Sequence, residues 1–436
     1  MNKKLNEALS FKLIVASILT SFSTAGLGNH IFGFELFTDF STLIILIIPI
    51  IQILSQNLRI PIILLHIYLY VIIQTFVFNL FSISIFSSLN HFFGFIIFSL
   101  TIFSFISSYR NRLAEIMHIY FKYVFFVVCI AIFQIVVYVI FKKTFLPQNL
   151  ISGFVSNDTY SSFAPEILGF LPRAVGLSSE PASYCIMILP GVFMSLMIIM
   201  GQSYEIGLYS RKMAYTILLG FILSFSLVGY FGLFLCIIAL TKNFRSNFRI
   251  IGILMLGFAS LLFFISKTSV GSKMSSIFEI QQDVAGYEYQ SSDLSAFALL
   301  SNVFVAKEAL QKSYYLGTGI NSHKETYDET IYNHFSTSQV IVELNRQDAG
   351  SLFIRLISEF GLPGIIFFIY FLYKFKIKNK SEPSIVKSIN SLSLVMLISY
   401  SVRNGGYLNI VFLLFFALYY YSFIVNRNYK LIKETF

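Results

Sequence analysis

The stretch NRQDAGSLFIRLISEFG, Asn345 to Gly361, decides how this chain is read. Arg346 and Asp348 open it, and Arg355 and Glu359 carry charge into an apolar run that continues to Tyr373. The run has the length of a membrane helix. A charge at the centre of such a helix costs roughly 2.5–3.5 kcal/mol on insertion scales unless it is paired or meets water. Read as helix, Asp348, Ser351, Leu352, Arg355 and Glu359 fall on one stripe, with Phe353, Ile354 and Ile357 opposite. From Asp348 to Glu359 that stripe rises about 16 Å. Arg355 and Glu359 stand four residues apart and can pair. The stripe is therefore expected to face the interior of a helix bundle, on a polar cavity open to the outer side. The competing reading is a buried ion pair that only ties helices together.

Composition sets the class. The chain has 436 residues, 56% of them hydrophobic and 12% charged, with a mean hydropathy of +0.76. A soluble domain carries about a quarter charged residues. Apolar runs of bilayer-spanning length recur from end to end, so the expected fold is all-α: one polytopic membrane helix bundle over residues 1–436. The net charge of +10 comes with no nucleic-acid-binding motif. Its Lys and Arg sit in short loops between spans, as in Lys374, Lys376, Lys378 and Lys380, which is a topology signal. Cys129, Cys185 and Cys236 each lie inside an apolar run, which argues against a disulfide framework. The first run, Phe11 to Leu27, reads as an uncleaved span.

Twelve spans are expected, at 11–28, 40–55, 60–81, 91–108, 120–141, 182–200, 213–227, 228–241, 249–266, 351–373, 388–403 and 407–424. The pair within 213–241 is decided by charge. The basic segments 109–119, 242–249 and 374–387 and the C-terminal tail all fall on the cytoplasmic side only if that region crosses twice. Both termini are then cytoplasmic. Two large loops face outward, 142–181 and 267–350. The second carries ten acidic and six basic residues, and Leu294–Leu310 and Asp328–Leu344 in it are apolar enough for short helices. A loop of that length is usually functional or disordered.

Arginine gathers on the outer side, where few are expected. Arg173 lies in GFLPRAVGLSSEPASYCIMILPG, Gly169 to Gly191, just before the sixth span. There Ser178 and Ser179 are candidate caps, Pro181 suits a first helical turn, and Glu180 would sit near a positive helix end. Arg403 lies in SYSVRNGGYLN, Ser399 to Asn409, where Gly405 and Gly406 make a tight turn. With Arg346 and Arg355 this makes four guanidinium groups, which bind phosphate and carboxylate bidentately. A lipid pyrophosphate or an acidic sugar is the natural ligand. Glu180, Asp348 and Glu359 are candidates to act on a sugar hydroxyl or to orient the arginines. The histidines His323 and His334, beside Glu325, Asp328 and Glu329, match no metal site and read as solvated loop residues. Gly317 and Gly319 lack the strand–turn–helix context of a nucleotide fingerprint. No P-loop is present, so ATP-driven transport has no support.

This layout resembles the bacterial O-antigen and capsular polysaccharide polymerases of the Wzy type. The resemblance rests on Arg173 followed by Glu180-Pro181, and on a late outer loop with Gly317 and Gly319. It rests also on the run from Asn345 through Arg346, Asp348, Ser351 and Leu352 to Glu359, Gly361, Leu362 and Gly364. Related O-antigen ligases usually carry a histidine where this chain has Asp348. The resemblance implies a membrane glycosyltransferase at the periplasmic face of the inner membrane. It would move a growing glycan from undecaprenyl pyrophosphate to a new lipid-linked repeat unit, with no metal or cofactor, beside a chain-length regulator protein. It implies that Arg173, Arg346, Arg403 and Asn345 bind substrate, that Arg355 and Glu359 sit at the reacting centre, and that Glu180 or Asp348 is the base. A ligase and a flippase of lipid-linked repeats are the alternatives.

Overall fold

A computed structural model describes Phe11 and residues 61–79, 85–141, 172–178, 180–201, 210–243, 294–334, 345–378 and 384–435. Among the described residues the regular structure is all helical, joined by turns and loops, and no strand occurs. The helices are α1 (Ile62–Asn79), α2 (Ile85–Ser108), α3 (Leu113–Phe141), α4 (Pro181–Ile199), α5 (Arg211–Ile222), α6 (Leu227–Asn243), α7 (Leu294–Lys312), α8 (His323–His334), α9 (Leu352–Lys374), α10 (Ile385–Arg403) and α11 (Ile410–Thr435). Six stretches are long and apolar enough to cross a membrane: Ser88–Ser108, Arg110–Phe141, Pro181–Ile199, Leu352–Lys374, Ile385–Arg403 and Ile410–Asn428. Ile62–Gln74 and Leu227–Leu240 are shorter apolar helices. The spans expected at 11–28, 40–55 and 249–266 lie outside the described residues, Phe11 apart.

Local chemistry sets the helix ends. Ser210 and Ser384 cap α5 and α10 by accepting from the Met213 and Lys387 amides. Pro181 occupies the first turn of α4, as its fixed φ favours. The N-cap there is Glu180, whose side chain makes no capping bond. Ser178 is buried with its hydroxyl unpartnered, so it does not cap as expected. The region 213–241 forms two helices separated at 223–226, where Phe225 has a φ of 46°.

The hairpin of α10 and α11 is the centre of the bundle, with α4, α6 and α9 against α10 and α2 against α11. Phe371 of α9 stacks on Phe416 of α11 at 4.0 Å between ring centroids. Asn390 rivets three helix segments. Its Nδ2 lies within 3.1 Å of the carbonyls of Phe375 and Tyr419 and of the Ser422 hydroxyl, and its Oδ1 accepts from the Ile377 amide. The basic segments Arg110–Arg112 and Lys374–Lys378 lie near that end of the bundle. Arg173, Glu180, Arg355 and Arg403 gather at the other end.

The start of α9 differs from expectation. Residues 345–350 are turns, with left-handed φ at Asn345, Ala349 and Gly350, and the helix begins only at Leu352. Asp348 is therefore off the helical stripe that holds Arg355 and Glu359. Nor is α9 straight: Gly361 sits at φ 62°, ψ −159°, a conformation essentially closed to other residues. Two anchors show why it must bend. Phe375, just past the end of α9, bonds Asn390 of α10, and Ser351, just before its start, donates to Ser401 of α10. At helical rise the anchors are about 36 Å apart along α9 but only about 16 Å apart along α10. The break at Gly361 takes up the difference.

Gly361→Ala is expected to destabilise the protein by roughly 1–3 kcal/mol through the backbone alone. The new Cβ would in addition run into the Tyr315 carbonyl. Thermal unfolding in detergent should show a lower midpoint than wild type; an unchanged midpoint would contradict this account of the break.

Candidate functional site

The break frees main-chain carbonyls inside the bundle, and a loop is built to meet them. Between α7 and α8, the Thr318 amide donates to Ser358 O and the Gly319 amide to Glu359 O, each at 2.9 Å. The Leu362 amide returns a bond to Tyr315 O at 3.0 Å. On the other side, Gln74 of α1 donates to Glu359 O and Leu316 O, and the Tyr70 hydroxyl donates to Phe360 O. Gly317 and Gly361 face each other backbone to backbone, and a Cβ on either would strike the other segment. The Gly317 and Gly319 of the sequence motif thus serve the fold of the site.

Beside the break lies the ion pair. Arg355 is 5% exposed and Glu359 is fully buried. Arg355 Nε donates to Glu359 Oε1 at 2.8 Å, Nη1 to Gly405 O, and Nη2 to Asn321 Oδ1. The Tyr407 hydroxyl donates to Glu359 Oε2 at 2.9 Å, and the guanidinium carbon lies 4.4 Å from the Tyr407 ring centroid. Pairing meets the cost of burial, as the sequence suggested, but the pair is closed in by its partners. Among the described residues these partners, rather than a polar cavity, surround the pair.

The other expected site residues surround this pair. Arg173 donates to the carbonyls of Ser224 and Phe225 at the α5–α6 break, and burial lowers its pKa from the ordinary guanidinium value. Arg346 holds Asp328 of α8 in a bidentate pair. Asn345 closes the turn by accepting the Ala349 amide at its carbonyl. Asp348 is half-buried, and its Oδ1 accepts from the Gly350 amide. The Asp348 carbonyl abuts Gly405 so closely that any side chain there would overlap it. Arg403 and Glu180 are only 3.6 Å apart, with side chains 34% and 48% exposed. These two are the loosely held, accessible charges of the layer.

Several contributors were not legible in advance. Tyr407 and Asn321 complete the ion pair, and His91 of α2 lies close enough to feel both its charges. His323 corrects the expectation of a solvated loop histidine: it is fully buried. Asn302 of α7 donates to Ala298 O through Nδ2, so its Oδ1 receives the His323 Nε2 proton at 2.8 Å. His323 Nδ1 lies 2.8 Å from the Ser358 hydroxyl, which is also within 3.1 Å of the Arg355 carbonyl. His323, Tyr327 and Ile331 form the buried face of α8, the last two against Val305 of α7. That spacing explains why α8 starts at His323, ahead of the expected Asp328. The expected continuation over 335–344 and the side chain of His334 lie outside what is described.

Below the polar layer lies an apolar cavity of about 100 Å³ between α1, α2, α9 and α11. Its walls include Leu64, Val71, Leu356, Phe368 and Phe416, and Tyr407 stands between it and the ion pair. Among the described residues no group of three or more His, Cys, Asp or Glu could hold a metal ion. No protein-family model, no curated protein and no solved structure matches this chain.

Two outcomes follow from this geometry. Arg355→Met strands a buried carboxylate and should cost about 3–5 kcal/mol of stability, while the double variant with Glu359→Gln should recover part of the loss. Thermal unfolding of the three proteins decides it. The second concerns pH. Burial, helped by the charge of Arg355, pushes the His323 pKa from 6.5 down to about 3. Above 6.5 the ring is neutral both docked and free, and docking is at full strength. As pH falls from 6.5 toward 3 only the free ring takes a proton, so docking weakens by about 1.4 kcal/mol per pH unit. Wild type should therefore lose more thermal stability between pH 7.5 and 5 than His323→Gln does.

Proposed function

We propose that this chain is an integral membrane glycosyltransferase, a polymerase of lipid-linked oligosaccharide repeat units. The observation that carries the reading is the accessible Glu180–Arg403 pair beside the Asp348 turn. It is seated on an ion pair already satisfied from within. A carboxylate and a guanidinium held loosely at the polar end of a membrane bundle suit a substrate with a sugar hydroxyl and an anionic leaving group.

In this reaction Glu180 or Asp348 takes the proton of the acceptor hydroxyl. The acceptor oxygen bonds to the anomeric carbon of the donor glycan, and the bond from that carbon to the pyrophosphate oxygen breaks. The electron pair leaves with undecaprenyl pyrophosphate, whose charge Arg403 offsets, with Arg173 and Arg346 behind it. Asn345 shapes the turn that presents Asp348. Arg355 and Glu359 position the layer, because their polar atoms are engaged with each other, Asn321, Gly405 and Tyr407. The apolar cavity beneath suits the hydrocarbon part of a lipid substrate. On this reading the polar end faces the periplasm, both termini are cytoplasmic, the twelve spans include those outside the described residues, and a chain-length regulator is a partner.

The test is the surface glycan of a strain lacking this chain, complemented with wild type, Arg403→Ala, Glu180→Gln or Asp348→Asn at matched amounts of folded protein. The deletion should leave the acceptor capped by a single repeat. Wild type should restore the ladder, and Arg403→Ala and at least one of the carboxylate variants should not. If the deletion stops every repeat from reaching the surface, the polymerase reading fails in favour of a flippase or ligase.

A further inference from the structure

Between α7 and α8 the chain makes a knuckle, Tyr314-Tyr315-Leu316, with side chains 85%, 56% and 45% exposed. Both tyrosines have left-handed φ, 50° and 67°, a conformation that bulky side chains rarely adopt. The knuckle is nevertheless fixed. The amides of Tyr314, Tyr315, Leu316 and Gly317 donate to Gln311 O, Leu310 O, Ser313 O and Ser313 Oγ. A turn with its main-chain donors bonded and its large side chains held outward is built to present them.

What it presents them to follows from its neighbour. Tyr315 O accepts the Leu362 amide, so the knuckle sits at the head of the lower half of α9. Along that half Leu362, Ile366, Ile369, Tyr370 and Tyr373 are all exposed. Their spacing places them on one helical face, which no described element covers, and Lys374 ends it. An exposed stripe of this composition suits contact with lipid, and the knuckle continues it past the break. Tyrosine, apolar in body and polar at its tip, prefers the interface between hydrocarbon and headgroups.

We propose that Tyr314, Tyr315 and Leu316 seat in the headgroup layer of the leaflet next to the polar layer, as an anchor joining the α7–α8 segment to the membrane surface. The inference uses the membrane character of the chain and does not depend on the polymerase reading. Through Gly317, Thr318 and Gly319 the anchor is bonded to Ser358 and Glu359. It thereby fixes the depth of Arg355, Glu359 and Tyr407 relative to the lipid headgroups.

The sequence contains no tryptophan, which makes a direct test available. Tyr315→Trp, Tyr314→Trp and, as a depth reference on the same face, Ile366→Trp are each placed in phosphatidylcholine nanodiscs. The lipids carry bromine either near the headgroup or deep in the chain, and aqueous iodide is the third quencher. The indole at 315, or at 314 if the first variant does not fold, should lose more fluorescence to shallow bromine than to deep bromine. The indole at 366 should show the reverse order, and iodide should reach neither well. Iodide quenching at 314 and 315 as strong as for a free indole would overturn the anchor. So would protection from all three quenchers there while the indole at 366 still responds, since a protein partner would then cover the knuckle.

Discussion

A main-chain carbonyl inside a membrane bundle has no water to turn to. At the Gly361 break the Leu362 amide, the helical donor for Ser358 O, goes to Tyr315 O instead. Pro363 has no amide to offer Glu359 O, and a buried carbonyl left unsatisfied costs about 1–3 kcal/mol. The protein supplies donors from two directions: the amides of Thr318 and Gly319, and the side chains of Gln74 and Tyr70. Everything at the polar end depends on this arrangement. It docks the α7–α8 segment, bends α9 across α10, and brings Glu359 under the α10–α11 turn. Two glycines are required because only bare backbone lets the two segments approach so closely.

The charges of that end divide by how they are held. Arg355 and Glu359 are buried and enclosed, so their role is to be fixed. Arg346 and Asp328 form a forked pair that ties the 345–350 turn to α8. Arg173 is bound to carbonyls of a second helix break, at the α5–α6 junction. Glu180 and Arg403 remain, 3.6 Å apart and each at least a third exposed. A layer in which most charges are neutralised internally and one pair is left open has low net charge when empty.

Much of this was legible in the sequence, and the failures have physical causes. Hydrophobic run length marked the long apolar helices that the structure describes, and the i,i+4 spacing of Arg355 and Glu359 announced their pairing. Asp348 was misassigned to the helical stripe because periodicity extends backward through a turn without notice; only the left-handed φ at Ala349 and Gly350 ends it. The bend in α9 was hidden because Gly361 and Pro363 are tolerated in membrane helices whenever neighbours re-satisfy the backbone. His323 looked solvated because its neighbours in sequence are polar. Its burial comes from Asn302 and Ser358, 21 and 35 residues away, and from the i,i+4,i+8 stripe with Tyr327 and Ile331. Tyr407 stood in plain view after Gly405-Gly406 but gave no signal, since aromatic residues occur in every described α-helix.

The partners of the Gly361 break also have an order along the chain. Gln74 and Tyr70 come first, Thr318 and Gly319 follow, and Ser358, Glu359 and Phe360 come last. A ribosome feeding this protein into a membrane therefore makes the donors to these three carbonyls before the carbonyls themselves. By the time α9 emerges, the groups that will receive its exposed carbonyls have already been synthesised. The broken helix need not linger with bare backbone in the lipid, because it is born into a prepared socket.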